Sequence, residues 1–383
     1  MRKLLIMLTL VSLILLGAVS VSMGETFSMG CTLGGITGSR ADGNTFILQT
    51  TDNAWWPTRH TLFVIEPEYG YKSIITKSGK WGCSNGLNSM GFSILVAAVG
   101  SKEPLPLDGD ISMFEFGPEL LKNCANVDEA IQMLKKFKYT DPMWTRNLIM
   151  ADAEGVIAIA EISNQTTNIE TYTKDGYVVR TNHWISDKMA LLGTKEVGFV
   201  CDRYNRGLEW FEVVNKDTST FRVEDLFDYA AYVYAPRQGN QTGGPGAVLA
   251  IEPKKGIFWF TYGNPGGNLP TKELENWQTN QDMTWGVYIP FELKELPPGQ
   301  YTTEIGHLTP LAIQYLYSHF SPELQRSPNW YKYQSVDPLK PFYKPAEDVA
   351  SPNPYTSKEN PYSPAGKPGT WTVEEGFIPA PTE

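Results

Sequence analysis

The sequence is poor in the residues from which metal centres and disulfide frameworks are built. Its 383 residues include four histidines and four cysteines. Cys31, Cys83, Cys124 and Cys201 are spaced as neither a zinc-ligand motif nor a compact disulfide scaffold would be. No metal site is therefore implied. Positive charge is also scarce: 32 Lys and Arg against 42 Asp and Glu leave a formal charge of −10. A nucleic-acid partner needs a basic surface that releases phosphate counterions, and this balance excludes one. There is no internal repeat and no run of like charges long enough to form an acidic tail.

Apolar and aromatic residues are plentiful. Hydrophobic residues make up 42% and charged residues 19%, with 11 Trp and 19 Tyr. That suits a soluble globular protein with a substantial core, in one large domain or two ordinary ones. The long apolar run lies at the start, where Met-Arg-Lys precedes an uncharged stretch from Leu4 to Gly24. Positive charge, apolar run and small residues describe a secretory signal. Ser20 and Ser22 suit a cut after Ser22, so residues 1–22 are expected to be a leader and the protein to be exported. The run also has about the length of a bilayer span, so an uncleaved leader would serve as an anchor.

Beyond a short segment, 23–30, the text alternates blocks of strands and helices. Asp42-Gly43 is a hairpin signal ahead of a strand from Thr45 to Gln49. Further strands are predicted at Thr61–Ile65 and Gly91–Val99. Ser112–Cys124 and a stretch from Val127, with Asn126 as its cap, read as helices. Strands return at Asn147–Asp152, Val156–Ile162 and Gly176–Thr181. Helices are predicted over Arg203–Val214 and Val223–Tyr234, and strands over Ala247–Ile251 and Gly256–Tyr262. Helices between blocks of antiparallel strands indicate layered α+β structure rather than βαβ units. From Asp337 onward there are ten prolines in 47 residues. Such a segment buries too little apolar surface to fold alone. The chain thus divides into leader 1–22, pro-segment 23–30, catalytic domain 31–336 and an irregular tail 337–383.

Gly30-Cys31-Thr32 carries the chemistry. A thiol attacks as its thiolate. A free α-amine, with a pKa near 8, accepts that proton at about neutral pH if both belong to the first residue of the mature chain. The preceding peptide must then be removed, by a protease or by attack of the thiol on the Gly30 carbonyl. Two plainer readings compete. One is a buried structural cysteine. The other is a lipidated one, since Ser28-Met-Gly-Cys31 loosely resembles a lipobox. Lipid would block both thiol and amine and leave an exported binding protein without catalysis.

Cys31-Thr32 followed by Asp42-Gly-Asn-Thr-Phe-Ile-Leu-Gln49-Thr-Thr-Asp52 resembles the opening of the N-terminal-nucleophile hydrolases. It is most similar to the acyl-coenzyme A:6-aminopenicillanic acid acyltransferase family, with choloylglycine and penicillin V hydrolases as relatives. The resemblance continues through Gly86-Leu-Asn-Ser-Met-Gly91, Asn147–Gly155, Glu161, Arg180-Thr-Asn-His183, Arg203-Tyr-Asn-Arg206 and Tyr262-Gly-Asn-Pro265. It implies a four-layer αββα sandwich of two antiparallel sheets with helices outside. It also implies amide hydrolysis or acyl transfer through a Cys31 thioester, without cofactor, on a small-molecule amide or acyl donor. By the same resemblance Asp52 orients the amine, Asn182 donates its amide to the tetrahedral oxyanion, and Arg203 lies near the nucleophile. Locally, Asp52-Asn53 also reads as an Asx turn, Asn182 as a strand-end turn residue, and Arg203 as part of a solvated helix face with Arg206 as its rival. His183 is expected to be structural or to line the substrate pocket with Gln49 and Ala98, because an N-terminal nucleophile needs no histidine. Two residues depart from the relatives. Ala97-Ala98 stands where they carry a second oxyanion asparagine, and Gln49 where the choloylglycine branch carries arginine.

Overall fold

The computed structural model describes residues 30–53, 60–78, 85–104, 109–111, 115–139, 145–172, 175–198, 201–217, 219–233, 244–262, 288–302, 344–345 and 369–379. The predicted leader and most of the pro-segment, along with Cys83, lie outside them.

The core strands are β1 (Gly30–Thr37), β2 (Thr45–Asn53), β3 (His60–Ile65), β4 (Ser73–Ser78), β5 (Asn85–Asn88) and β6 (Ser93–Val99). Helices α1 (Phe116–Asn123) and α2 (Val127–Leu134) follow. Then come β7 (Thr145–Ala151), β8 (Ile157–Ile162), β9 (Thr167–Tyr172) and β10 (Gly176–Arg180). Helices α3 (Asp187–Leu192), α4 (Asp202–Val214) and α5 (Val223–Val233) precede β11 (Gly244–Glu252) and β12 (Ile257–Tyr262). Short strands β13 (Ile289–Glu292), β14 (Gly299–Thr302) and β15 (Lys344–Pro345) and a hairpin of β16 (Gly369–Thr372) and β17 (Gly376–Pro379) complete the described chain.

The strands form one sheet ordered β10-β1-β2-β11-β12-β13 and a second ordered β15-β14-β3-β4-β5-β6-β7-β8-β9. Every pairing within them is antiparallel, for instance β1 with β2, β1 with β10 and β7 with β8. Alternation assigns the two faces of each strand. Leu33, Ile47, Leu95, Ile149, Ile157, Ile159 and Val178 join one core between the sheets. Their neighbours Ile36, Leu48 and Val179 turn outward under α4 and α5 with Phe211 and Tyr229. On the other side Ile94, Val96, Leu148 and Met150 pack under α1 and α2 with Phe116, Leu120 and Met133. The central strands read as near-continuous apolar runs because both of their faces are covered. The result is the αββα sandwich that the resemblance implied.

Several predicted elements hold within a residue or two, and Asn126 does cap α2, its side chain accepting from the Glu129 amide at 3.0 Å. Within the Gly86–Gly91 motif, residues 86–88 belong to strand β5. The turn comes after it, at Ser89-Met90, and Gly91 takes the φ of 81° that closes it. Asn88 secures that corner by accepting from Met90 and Phe92 and donating to the carbonyls of Leu121 and Cys124. Strands β4, β9, β13 and β14 and helix α3 are short, polar or mixed in pattern, so periodicity did not mark them. The proline-rich segment is also not uniformly irregular. Lys344–Pro345 pairs with β14, and the β16–β17 hairpin lies against the helix layer, where Lys136 Nζ donates to the Val373 and Glu374 carbonyls.

Candidate active site

The inter-sheet layer is apolar along most of its length and becomes polar at one end. Cys31, two residues before Leu33, continues the inward face of β1 and packs half-buried against the apolar core. The β1–β10 register ends at Leu33 opposite Arg180. Carried two residues further, it would set Cys31 opposite Asn182. The chain leaves the sheet at Thr181, and the Asn182 side chain takes over the ladder's bond. Its Oδ1 accepts from the backbone nitrogen of Cys31 at 2.6 Å. Because Gly30 precedes it in β1, that nitrogen is a peptide amide here.

Arg203, in the first turn of α4, reaches the same point. One terminal nitrogen donates to Asn182 Oδ1 at 3.0 Å and the other to Thr32 Oγ1 at 2.9 Å. The guanidinium is a rigid fork, so a single side chain bridges Thr32, next to Cys31 in the chain, and Asn182, which meets the Cys31 nitrogen. Asn182 Nδ2 donates to the Ala98 carbonyl at 2.8 Å. Oxygen and nitrogen are told apart by these partners: one end of the amide faces two donors and the other faces an acceptor. Asn182 was expected to point its N–H at an oxyanion. Its oxygen instead faces the Cys31 nitrogen, and one of its two Nδ2 hydrogens is held by the Ala98 carbonyl. The rival Arg206 is engaged elsewhere, donating to the Tyr232 carbonyl with its guanidinium carbon 5.3 Å from the Tyr232 ring centre.

The backbone of Asp52 pairs with Gly30, one step from the position opposite Cys31, and its side chain lies outside the described residues. Gln49 does not line an open pocket. It is 3% exposed, and its Nε2 donates to the Val96 carbonyl while its Oε1 accepts from Asn85 Nδ2. Asn85 Oδ1 accepts from the Val96 amide at 2.8 Å. The three residues close a ring that joins β2 of one sheet to β6 of the other, two residues from the Ala98 carbonyl. His183 is buried beside the site, with Nδ1 2.8 Å from Thr181 Oγ1. Thr181 Oγ1 lies 3.1 Å from Cys201 Sγ. Burial, then the charges of Arg203, Arg180 and Lys195, hold the imidazole down to about 4, so it is neutral near neutral pH. Cys31, Cys124 and Cys201 are thiols, not disulfide halves.

Sequence reasoning passed over Thr32, Asn85 and Thr181 and gave Asn147 and Glu161 no role. The last two carried a readable signal. Each is a polar residue on an inward face shared with apolar residues of its own strand, Ile149 and Ala151 in β7 and Ile157 and Ile159 in β8, where an unpaired side chain would be costly.

A family model described as acyl-coenzyme A:6-aminopenicillanic acid acyl-transferase matches residues 39–266. The match begins after Cys31 and takes in Asp52, Asn182 and Arg203. The fold is similar to that of penicillin V acylase from Agrobacterium tumefaciens, at 16% identity and a TM-score of 0.50, covering 72% of this chain and 92% of that one. It is also similar to a mutant conjugated bile acid hydrolase from Clostridium perfringens, at 14% identity and a TM-score of 0.52, covering 71% and 96%. No curated protein sequence matches the chain. The likeness to these two structures is one of fold, the N-terminal-nucleophile sandwich.

Proposed function

The chain belongs to the acyl-coenzyme A:6-aminopenicillanic acid acyl-transferase family, and from that premise we propose an exported enzyme that cleaves or transfers the acyl group of a linear, non-peptide or N-acyl amide through a thioester on Cys31. The observation that carries the reading is the 2.6 Å bond from the Cys31 nitrogen to Asn182 Oδ1. Once the peptide before Cys31 is cut, that nitrogen is the α-amine of the nucleophile's own residue, already seated on an acceptor.

In the proposed reaction the Cys31 thiol gives its proton to that amine and Sγ attacks the amide carbon. Asn182 Oδ1 accepts from the nitrogen in both forms and favours the ammonium, which in turn favours the thiolate. The guanidinium of Arg203 adds a fixed positive charge on the same side. The tetrahedral intermediate collapses as the carbon–nitrogen bond breaks, and the ammonium returns its proton to the departing amine. Water or a second amine then resolves the thioester. Asp52 is assigned to the amine, as the resemblance implies. The oxyanion falls to backbone N–H groups or to the second Nδ2 hydrogen of Asn182.

N-terminal sequencing of the exported protein, with a panel of N-acyl amides and acyl-coenzyme A donors, tests the reading. A mature chain starting at Cys31 is expected, with turnover lost by at least about a thousandfold in Cys31→Ala. A lipidated Cys31, or a chain starting upstream that retains turnover in Cys31→Ala, would overturn it. The products of the panel decide between hydrolysis and transfer.

A further inference from the structure

Strand β8 is apolar except at Glu161, and β7 is apolar from Leu148 to Ala151, just beyond Asn147. Asn147 and Glu161 oppose each other in the antiparallel register, both fully buried. Two polar side chains at one rung of a dry layer are destabilising unless their hydrogen bonds are met. Nearly all of those bonds go to a single six-residue segment, Thr181–Ser186. Asn147 Nδ2 spends its two hydrogens on the carbonyls of Thr181, at 2.6 Å, and His183, at 2.8 Å. These are the two neighbours of Asn182. Glu161 accepts from the amides of Ile185, at 2.9 Å, and Ser186, at 3.2 Å, and from the Ser186 hydroxyl. Its charge is met by Arg180, just before the segment, with Nε 3.4 Å from Oε1.

The segment is therefore held at both ends and on either side of Asn182. Its side chain in turn meets the Cys31 nitrogen, Arg203 and the Ala98 carbonyl. We infer that Asn147 and Glu161 are positioning residues that lock the Thr181–Ser186 turn so that Asn182 presents its oxygen to the nitrogen of Cys31. The inference rests on Cys31 being the N-terminal nucleophile. Neither residue touches a reacting atom. They act through the backbone that carries Asn182, and a buried carboxylate with four donors around it has few alternative geometries.

The test needs no substrate. In the mature protein the rate of Cys31 alkylation by iodoacetamide, followed by mass spectrometry across pH, reports the thiolate that the amine supports. Asn182→Ala removes the acceptor that favours the ammonium, so its alkylation midpoint is expected to move upward by about one pH unit. Asn147→Ala is expected to move it in the same direction, and the double variant no further than Asn182→Ala alone, because both act through one side chain. Glu161→Gln, which keeps one acceptor oxygen, should shift the midpoint less than Glu161→Ala. If Asn147→Ala does not fold, Ser186→Ala removes one bond to Glu161 from a half-buried position and is expected to shift the midpoint in the same sense. Shifts that add in the double variant overturn the positioning role, as does a wild-type midpoint in both Asn147→Ala and Ser186→Ala. A mature chain that does not begin at Cys31, or an Asn182→Ala midpoint that does not move, overturns the underlying reading and the inference with it.

Discussion

At the scale of single residues, the arrangement around Cys31 works through one oxygen. Asn182 Oδ1 collects the Cys31 nitrogen and an Arg203 nitrogen, and Arg203 also holds Thr32. Lysine offers one point charge in place of a fork, so it meets Asn182 and Thr32 together less well than two separate guanidinium nitrogens do. Arg203→Lys is accordingly expected to slow Cys31 alkylation near neutral pH by roughly threefold to tenfold, a loss of about 1 kcal/mol of thiolate stabilisation. Alkylation at the wild-type rate would show that charge alone suffices. His183 makes a different prediction. Its folded-state pKa of about 4 lies below the ordinary value of 6.5, so in that interval the unfolded chain binds the proton and the folded one does not. Stability from this group is present above about 6.5 and is lost as pH falls toward about 4. His183→Phe should flatten the acid slope of the unfolding free energy, read from urea melts across that window. An unchanged slope would assign the effect to other groups.

At the scale of elements, the strands were legible because a two-residue period is written locally. Cys31 and Leu33 share a face for the same reason that Ile157 and Ile159 do. The helix starts were legible where a cap stood, as at Asn126. Asn126→Ala is expected to cost about 1 kcal/mol, seen as a lower urea midpoint at unchanged slope. Less legible was how closely α4 and α5 approach the first sheet. A Cβ at Gly34 would overlap the Tyr229 ring, and one at Gly207 would come within 2.8 Å of Val179 and 2.9 Å of the Tyr229 hydroxyl. Tyr229 is fully buried, with its hydroxyl 3.3 Å from the Leu33 carbonyl. Gly34→Ala should therefore overpack this contact and destabilise by about 1–3 kcal/mol. It would also disturb β1 three residues from Cys31.

At the scale of the whole molecule, two sheets must be held at a fixed offset for groups on different layers to meet at Cys31. The apolar core between them is non-directional and does not fix that offset alone. The ring of Gln49, Asn85 and Val96 does, because hydrogen bonds are directional and a buried partner left unpaired is penalised. Gln49→Leu keeps the volume but strands the Asn85 amide and the Val96 carbonyl. It is expected to cost about 2–4 kcal/mol in unfolding free energy and, unlike Gly34→Ala, to be partly relieved by Asn85→Leu in the same chain. A double variant no more stable than Gln49→Leu would rule out the ring as their link. This ring also explains why Gln49, expected at the substrate, faces protein on all its polar atoms.

The sequence by itself determined what is written in neighbouring residues: most of the strands, the long helices and the antiparallel layering. It also carried the ordered motifs that mark the family. Only the tertiary structure decided which atom of Asn182 faces Cys31, residues 151 positions apart. The same is true of the coupling of Gln49 to Asn85, and of Asn147 and Glu161 gripping the turn beyond β10. The physical reason is that periodicity fixes which face a side chain takes, whereas its partner depends on strand register and on the stacking of layers. Those are set by the summed packing of distant segments, and no short window of sequence contains them.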